Sequence, residues 1–350
     1  MILGVFLAIG ESFKDYKVKG QDSLIVDYLL KNYSRNFEQV YVFSYANESI
    51  SIFPNVHVLP NKWSLPRYVY ALLLPILYQN KIRKADILRG LQLTGGIPAY
   101  ICSLFFVKRY VINYGYDYVE FARIEKKIMQ VFLYKIIKPL IISHAAAIIV
   151  TAKYLKKDLN PYIIKNKIFL ISNGVDTNVF EPRKIKKVWD LIYIGRLEHQ
   201  KNIETLIKAV TLFKKSIRTM IIGNGSLKQS LERQVQDNNL LVSFKDAVKH
   251  DDLPFLINQS RIFVLPSILE GQPKVLLEAM SCGSAVVASN IEAHREIIIS
   301  DENGILFQQD AVSLSKKIRS LLANGRLRTK LGNNARNTVL KKFNKQILNR

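Results

Sequence analysis

Residues Ile262-Phe263-Val264-Leu265-Pro266-Ser267-Ile268-Leu269-Glu270-Gly271-Gln272-Pro273-Lys274-Val275-Leu276-Leu277-Glu278-Ala279-Met280 decide the fold. The apolar run 262–265 reads as a buried strand. Gly271 gives the following turn backbone freedom, and Pro273 suits the start of a helix, where its missing N–H costs nothing. A helix over 274–281 then starts at the carboxyl end of a strand. Its free N–H groups and positive dipole end favour a phosphate at Lys274, Val275 and Leu276. Glu270 lies in the turn and Glu278 about one turn into the helix, so two carboxylates bracket that site. Carboxylates beside an anion need hydrogen-bond donors, and ribose or sugar hydroxyls supply them. Either glutamate alone reads as a helix-entry or solvated residue; the whole segment does not.

Working outward, the same strand–turn–helix unit recurs along the chain. Strands are expected at 2–9, 39–44, 55–59, 86–89, 109–113, 146–151 and 167–171, with helical stretches such as 21–33 and 118–137 between them. A second series has strands at 190–194, 219–222, 241–244, 262–265, 285–289 and 304–307. Its helices are expected at 203–214, 227–236, 253–259, 274–281 and 312–323, ahead of a long basic helix over 328–348. Such alternation predicts an α/β fold of two doubly wound, Rossmann-like domains facing a cleft. The join falls at Glu181-Pro182 and the basic run 183–187. The expected domains are therefore 1–180 and 181–327, with a terminal helix of about 328–350 following them.

Two further turns stand at carboxyl ends of expected strands. In Tyr193-Ile194-Gly195-Arg196-Leu197-Glu198-His199-Gln200-Lys201, Gly195 lets a ligand approach the backbone. Arg196 can clamp phosphate oxygens in a fork, and Lys201 adds a point charge. Gly223-Asn224-Gly225 lacks the third glycine and the acidic residue of a nicotinamide fingerprint, and reads instead as a turn passing close to a nucleotide base.

Composition bounds the rest. The 350 residues are 49% hydrophobic and 23% charged, which excludes disorder, and two cysteines exclude a disulfide scaffold. A net charge of +23, from 51 Lys+Arg against 28 Asp+Glu, attracts polyanions: nucleic acid, phosphorylated metabolites or anionic membrane. No stretch has the length and apolarity of a spanning helix. Residues 1–10 lack the flanks of a secretion signal and read as a first strand. The five histidines have no metal-ligand spacing and read as structural or surface residues, with His144 and His294 the two to test. No Asp-x-Asp occurs, and no metal site is expected.

These motifs resemble the carboxyl-terminal domain of family 4 retaining glycosyltransferases, which have the GT-B fold. Glu270 and Glu278 match the family's paired glutamates, Asn173-Gly174-Val175-Asp176 its interdomain segment, Arg196 and Lys201 its diphosphate pair, and Ala335-Arg336 through Phe343 its terminal helix, so the resemblance implies that the helix of about 328–350 returns to the first domain. The likeness covers roughly 141–348. It implies a nucleoside-diphosphate sugar as donor substrate, with no further cofactor. By the resemblance Glu278 binds the ribose, and Glu270, Arg196 and Lys201 act in catalysis. Gly195, Gly223, Gly271 and the N–H groups of Lys274, Val275 and Leu276 hold the donor. Transfer proceeds with retention and without metal.

The sequence departs from the family in places. Its amino-terminal loop, 10–20, has glycine only at its ends, the carboxyl-domain glycine Gly283 lacks the usual following proline, Ala293-His294 replaces a glycine pair, and the amino-domain histidine is not evident. On the acceptor side the candidates are Lys14, Lys17, Lys19, Tyr116 and Asp117, with Tyr114 and Tyr118 flanking. The expected partners are a nucleotide sugar and a glycan or lipid-linked acceptor. Peripheral association with anionic membrane is a further expectation, and the expected location is cytoplasmic, the inner face of the cell membrane included. Two competitors remain: a sugar-nucleotide epimerase of the same fold, and a nucleic-acid-binding protein. The chain has no zinc finger or basic aromatic platform for the latter.

Overall fold

A computed structural model describes residues 1–22, 24–162 and 167–345. The chain divides into two compact units. One comprises Met1–Arg123 and Lys127–Leu170; the other comprises Ile124–Lys126 and the chain from Ile171 onward.

The first unit holds a seven-stranded sheet of β1 (Ile2–Phe6), β2 (Gln39–Phe43), β3 (Val56–Leu59), β4 (Ile87–Gly90), β5 (Arg109–Tyr114), β6 (Ala147–Val150) and β7 (Ile168–Leu170), in the order β3-β2-β1-β4-β5-β6-β7. All neighbours run parallel. Parallel strands need crossovers, which bury both sheet faces. Successive side chains accordingly enter different cores: Leu3, Val5, Val40 and Val42 pack on one face, Phe6, Tyr41 and Phe43 on the other.

The second unit holds β8 (Trp189–Ile194), β9 (Thr219–Ile222), β10 (Val242–Lys245), β11 (Ser260–Leu265), β12 (Ala285–Ser289) and β13 (Ile305–Phe307), in the order β10-β9-β8-β11-β12-β13. These pairs are also parallel. In this sheet the direction of winding reverses between β8 and β11. Ligands bind outside the carboxyl ends of strands at such a reversal.

The division falls at Leu170–Ile171, ahead of the expected boundary at 180. The segment 173–180 is tied into the second unit. Asn173 donates its backbone N–H to Gln272 Oε1 at 2.5 Å, and its Nδ2 donates to the Gln272 carbonyl at 2.7 Å. The terminal helix spans Gly325–Lys342 and also belongs to the second unit, packing on the helix Lys274–Ser281 and on β12. Leu331, Ala335 and Val339 bury its inner face. Gly283 sits at φ +68°, and a Cβ on Gly332 would meet the Gly283 carbonyl oxygen at 2.1 Å, so small residues set this approach. The expected residues 346–350 of that helix lie outside the described residues, as does Ser23 within the expected helix 21–33. The expected helix 118–137 is two helices, Tyr118–Ile124 and Ile128–His144. Lys126 at φ +56° breaks the first from the second.

Candidate functional site

Loops at the carboxyl ends of β8, β9, β11 and β12 carry the expected site residues of the second unit. After β11 the chain turns through Ser267–Glu270 and enters the helix Lys274–Ser281 at Pro273, which offers no side-chain cap. The first intrahelical bond is made by the Leu277 N–H to the Pro273 carbonyl at 3.4 Å. The N–H groups of Lys274, Val275 and Leu276 therefore come before the helical ladder, as expected of an anion-binding end. Lys274 itself is exposed.

Glu270 is 6% exposed. Its Oε1 accepts from Lys201 Nζ at 2.5 Å and from Ser267 Oγ at 2.7 Å. Burial alone would raise its carboxyl, but Lys201 and the Ser267 hydroxyl hold it below its ordinary value. Lys201 is thus brought to Glu270 rather than left as a surface cation. Arg196 is exposed, and its Nη2 donates to Gln200 Oε1 at 3.3 Å.

Gln200 is the joint between the two motifs. Its Nε2 donates to the Leu269 carbonyl at 2.5 Å, and its own carbonyl accepts the Ile268 N–H at 2.8 Å. It is only 3% exposed. The sequence alone gives Gln200 no role, because its partners lie in another motif.

The Gly-x-Gly turn has a packing reason. A Cβ on Gly223 would fall 2.0 Å from the Gly195 carbonyl oxygen, and one on Gly225 would fall 2.3 Å from that of Leu197. Gly223 stands at φ +139°. The β8 and β9 loops therefore stack backbone on backbone, with the Leu197 N–H donating to the Asn224 carbonyl at 2.9 Å. Glu198 locks the same stack by accepting from the Ser226 N–H at 3.0 Å and its hydroxyl at 2.5 Å. Gly223 is expected to touch the donor; within the chain it touches Gly195.

Glu278 is buried on the helix, and His250 Nε2–H donates to its Oε1 at 2.8 Å, with both side chains under 9% exposed. His250, bland in the sequence, is therefore an orienting partner of the expected ribose carboxylate. His294 is fully buried. Its Nδ1–H donates to the Ser289 carbonyl at 2.8 Å, and its Nε2 has no partner. Burial pushes its imidazole down to about 4, so it is neutral near pH 7.

The acceptor-side candidates lie in the first unit. Asp117 caps the helix Tyr118–Ile124, its Oδ1 accepting the N–H groups of Val119 at 2.9 Å and Glu120 at 3.2 Å. Tyr116 stacks on Tyr118 at 4.2 Å. Tyr114 donates its hydroxyl to Asp158 Oδ2 at 2.6 Å. Lys19 pairs with Glu11 at 2.8 Å, Lys14 Nζ donates to the Asn47 carbonyl at 3.3 Å, and Lys17 is exposed. Sequence reasoning missed Glu48. It is 5% exposed. Its two oxygens accept the N–H groups of Phe13 and Lys14, both at 3.1 Å, at the start of the helix Phe13–Val18. Those amides are thus occupied by the chain's own carboxylate. Among the described residues no group of three or more His, Cys, Asp or Glu could hold a metal ion.

Residues 175–338 match the family model of glycosyl transferases group 1. An uncharacterised glycosyltransferase of Methanocaldococcus jannaschii is 29% identical over 249 residues, 67% of this chain and 64% of its own length. A UDP-Gal:alpha-D-GlcNAc-diphosphoundecaprenol alpha-1,3-galactosyltransferase of Escherichia coli is 28% identical over 202 residues, 52% of each. The chain thus spans about half the length of the curated relatives it matches. Sucrose-phosphate synthase from Thermosynechococcus elongatus has the same fold, with a TM-score of 0.85 at 20% identity, covering 99% of this chain and 96% of that one. Anabaena HepE, solved with UDP and glucose, gives a TM-score of 0.75 at 16% identity, covering 99% and 96%. The fold is GT-B.

Proposed function

We propose that this chain, whose residues 175–338 match the family model of glycosyl transferases group 1, moves a sugar with retention from a nucleoside diphosphate to a glycan or lipid-linked acceptor. The observation that carries the reading is the buried Lys201–Glu270 pair at the β8/β11 reversal, beside a helix start whose amides are uncapped. A departing nucleoside diphosphate gains charge in the transition state. Arg196, Lys201 and the N–H groups of Lys274, Val275 and Leu276 are the preorganised donors that would meet it. In this reading Glu278, oriented by His250, takes the ribose hydroxyls, and Glu270 meets the donor sugar. The cations stand in for a metal ion, so turnover needs none.

The glycosyltransferase model match favours transfer over epimerisation or nucleic-acid binding. The UDP complexes of HepE make uridine diphosphate sugars the first donors to screen. The lipid diphosphate acceptor in the name of the E. coli relative makes lipid-linked sugars the first acceptors. The test is transfer from the best-binding donor, with anomeric configuration read by NMR, in EDTA and with added manganese. Transfer with retention in EDTA supports the reading. Inversion, isomerisation of donor without acceptor, or loss in EDTA restored by manganese would refute it.

A further inference from the structure

One face of the first sheet is covered by helices whose outer sides are apolar. The crossovers β3 to β4, β4 to β5 and β5 to β6 all step the same way across the sheet, and right-handed connections put their helices on one face. These are Arg67–Leu77, Gln92–Phe106 and Ile128–His144, and Gln92–Phe106 packs against both of the others. A helix on a soluble surface turns charge outward. Here Ile128 and Met129 are each 81% exposed, and Phe132, Leu133, Ile136 and Leu140 continue the stripe. Tyr68, Leu72 and Ile76 repeat it on Arg67–Leu77. The stripe on Ile128–His144 alone exposes on the order of 700 Å², above the ~300–600 Å² of the largest patch on an ordinary monomer.

Charge selects the occupant. None of the three helices contains Asp or Glu. Exposed Lys135 stands within the stripe and exposed Lys127 just before it. Arg67 lies 5.0 Å from the Tyr68 ring. Exposed Lys62 adjoins exposed Trp63. Apolar and aromatic side chains rimmed by cations suit an anionic bilayer surface. A second copy would set one basic rim against another.

We propose that this helical face docks on an anionic bilayer, its apolar stripe entering the headgroup boundary and its lysines and arginines meeting lipid phosphates. No helix among the described residues is long and apolar enough to cross a membrane. Lys14, Lys17 and Lys19, the basic run of the amino-terminal loop, do not share this face. The helix of this run, Phe13–Val18, belongs to the β1–β2 crossover, which steps the opposite way, and Phe13 and Tyr16 pack with Leu3 and Val5 in the other core.

The experiment is co-sedimentation of the full chain with vesicles of phosphatidylcholine, with and without phosphatidylglycerol, and with no sugar donor or acceptor present. Strong partitioning onto the anionic vesicles is expected. Phe132→Ser with Ile136→Ser should weaken it about tenfold or more. Lys127→Gln and Lys135→Gln should weaken it about fivefold each, on anionic vesicles only. Lys14→Gln with Lys17→Gln should leave it unchanged. Circular dichroism confirms that these surface variants fold. Failure of the wild type to bind, or equal binding by the Phe132/Ile136 variant, overturns the proposal. So does a wild-type dimer that this variant dissolves. The assay reads no turnover, so its failure is distinct from failure of the transfer reading.

Discussion

Lys201→Ala strands a buried carboxylate. The pair is 2.5 Å apart, with side chains 14% and 8% exposed, and Glu270 keeps the Ser267 hydroxyl as a donor. Removing one member of a buried pair costs about 3–5 kcal/mol. At about 2–4 °C per kcal/mol, the second unit should melt about 10 °C lower at pH 7.5. The sign with pH follows from the carboxyl. In the wild type it is held below its ordinary value, so its contribution is present at neutral pH and lost only as pH falls through the folded value. Without Lys201 burial dominates and raises it, so the charged form is costly at neutral pH and protonation relieves the cost. The gap between wild type and variant should therefore narrow at pH 5. Adding Glu270→Gln removes the stranded charge and should recover most of the loss at pH 7.5 without restoring turnover. Calorimetry on the three proteins at both pH values decides. An unchanged Tm for Lys201→Ala, or an equal loss at both pH values with no recovery in the double variant, would refute the reasoning.

Exposed Arg196 should behave differently: Arg196→Ala should keep stability within about 0.5 kcal/mol, while turnover falls ~100–1,000-fold; normal turnover would remove it from the diphosphate. Glu278→Ala should raise the donor KM with kcat little changed, and Glu270→Gln should lower kcat; steady-state kinetics showing the reverse would exchange their roles. Because burial moves His294 from 6.5 to about 4, the unfolded chain binds its proton first as pH falls. The wild type should then lose about 3 kcal/mol between those values. Denaturant melts of His294→Asn should show a shallower slope there, and an identical slope would show that His294 does not titrate as described.

Both sheets were legible because parallel strands buried on two faces read as short apolar runs, and β9 and β12 fall on the expected residues. Helix Lys274–Ser281 was equally legible, since Pro273 marks its start locally. What the sequence could not supply were bonds between distant positions. Lys201 meets Glu270 across 69 residues, and His250 meets Glu278 across 28. No local pattern distinguishes a lysine that will be buried from one that will be solvated. The turn at Gly223 was visible, yet its reason, the backbone of Gly195, belongs to a neighbouring strand's loop. The role of Asp117 as a helix cap was hidden in the same way, because it depends on where Tyr118–Ile124 begins.

The helix Gly325–Lys342 has a consequence for biosynthesis. Arg336 Nη1 donates to the carbonyls of Ser281 at 2.6 Å and Phe180 at 3.1 Å. Val175 exchanges backbone bonds with Phe343 and Lys345, at 2.9 and 3.0 Å. The cover of the second sheet is thus translated after every strand it shields. While the ribosome is still adding those residues, the surface of β12 and of the helix Lys274–Ser281 that will receive Leu331, Ala335 and Val339 stays open to water and to chaperones. The first sheet, whose strands all precede residue 171, waits for no such late segment.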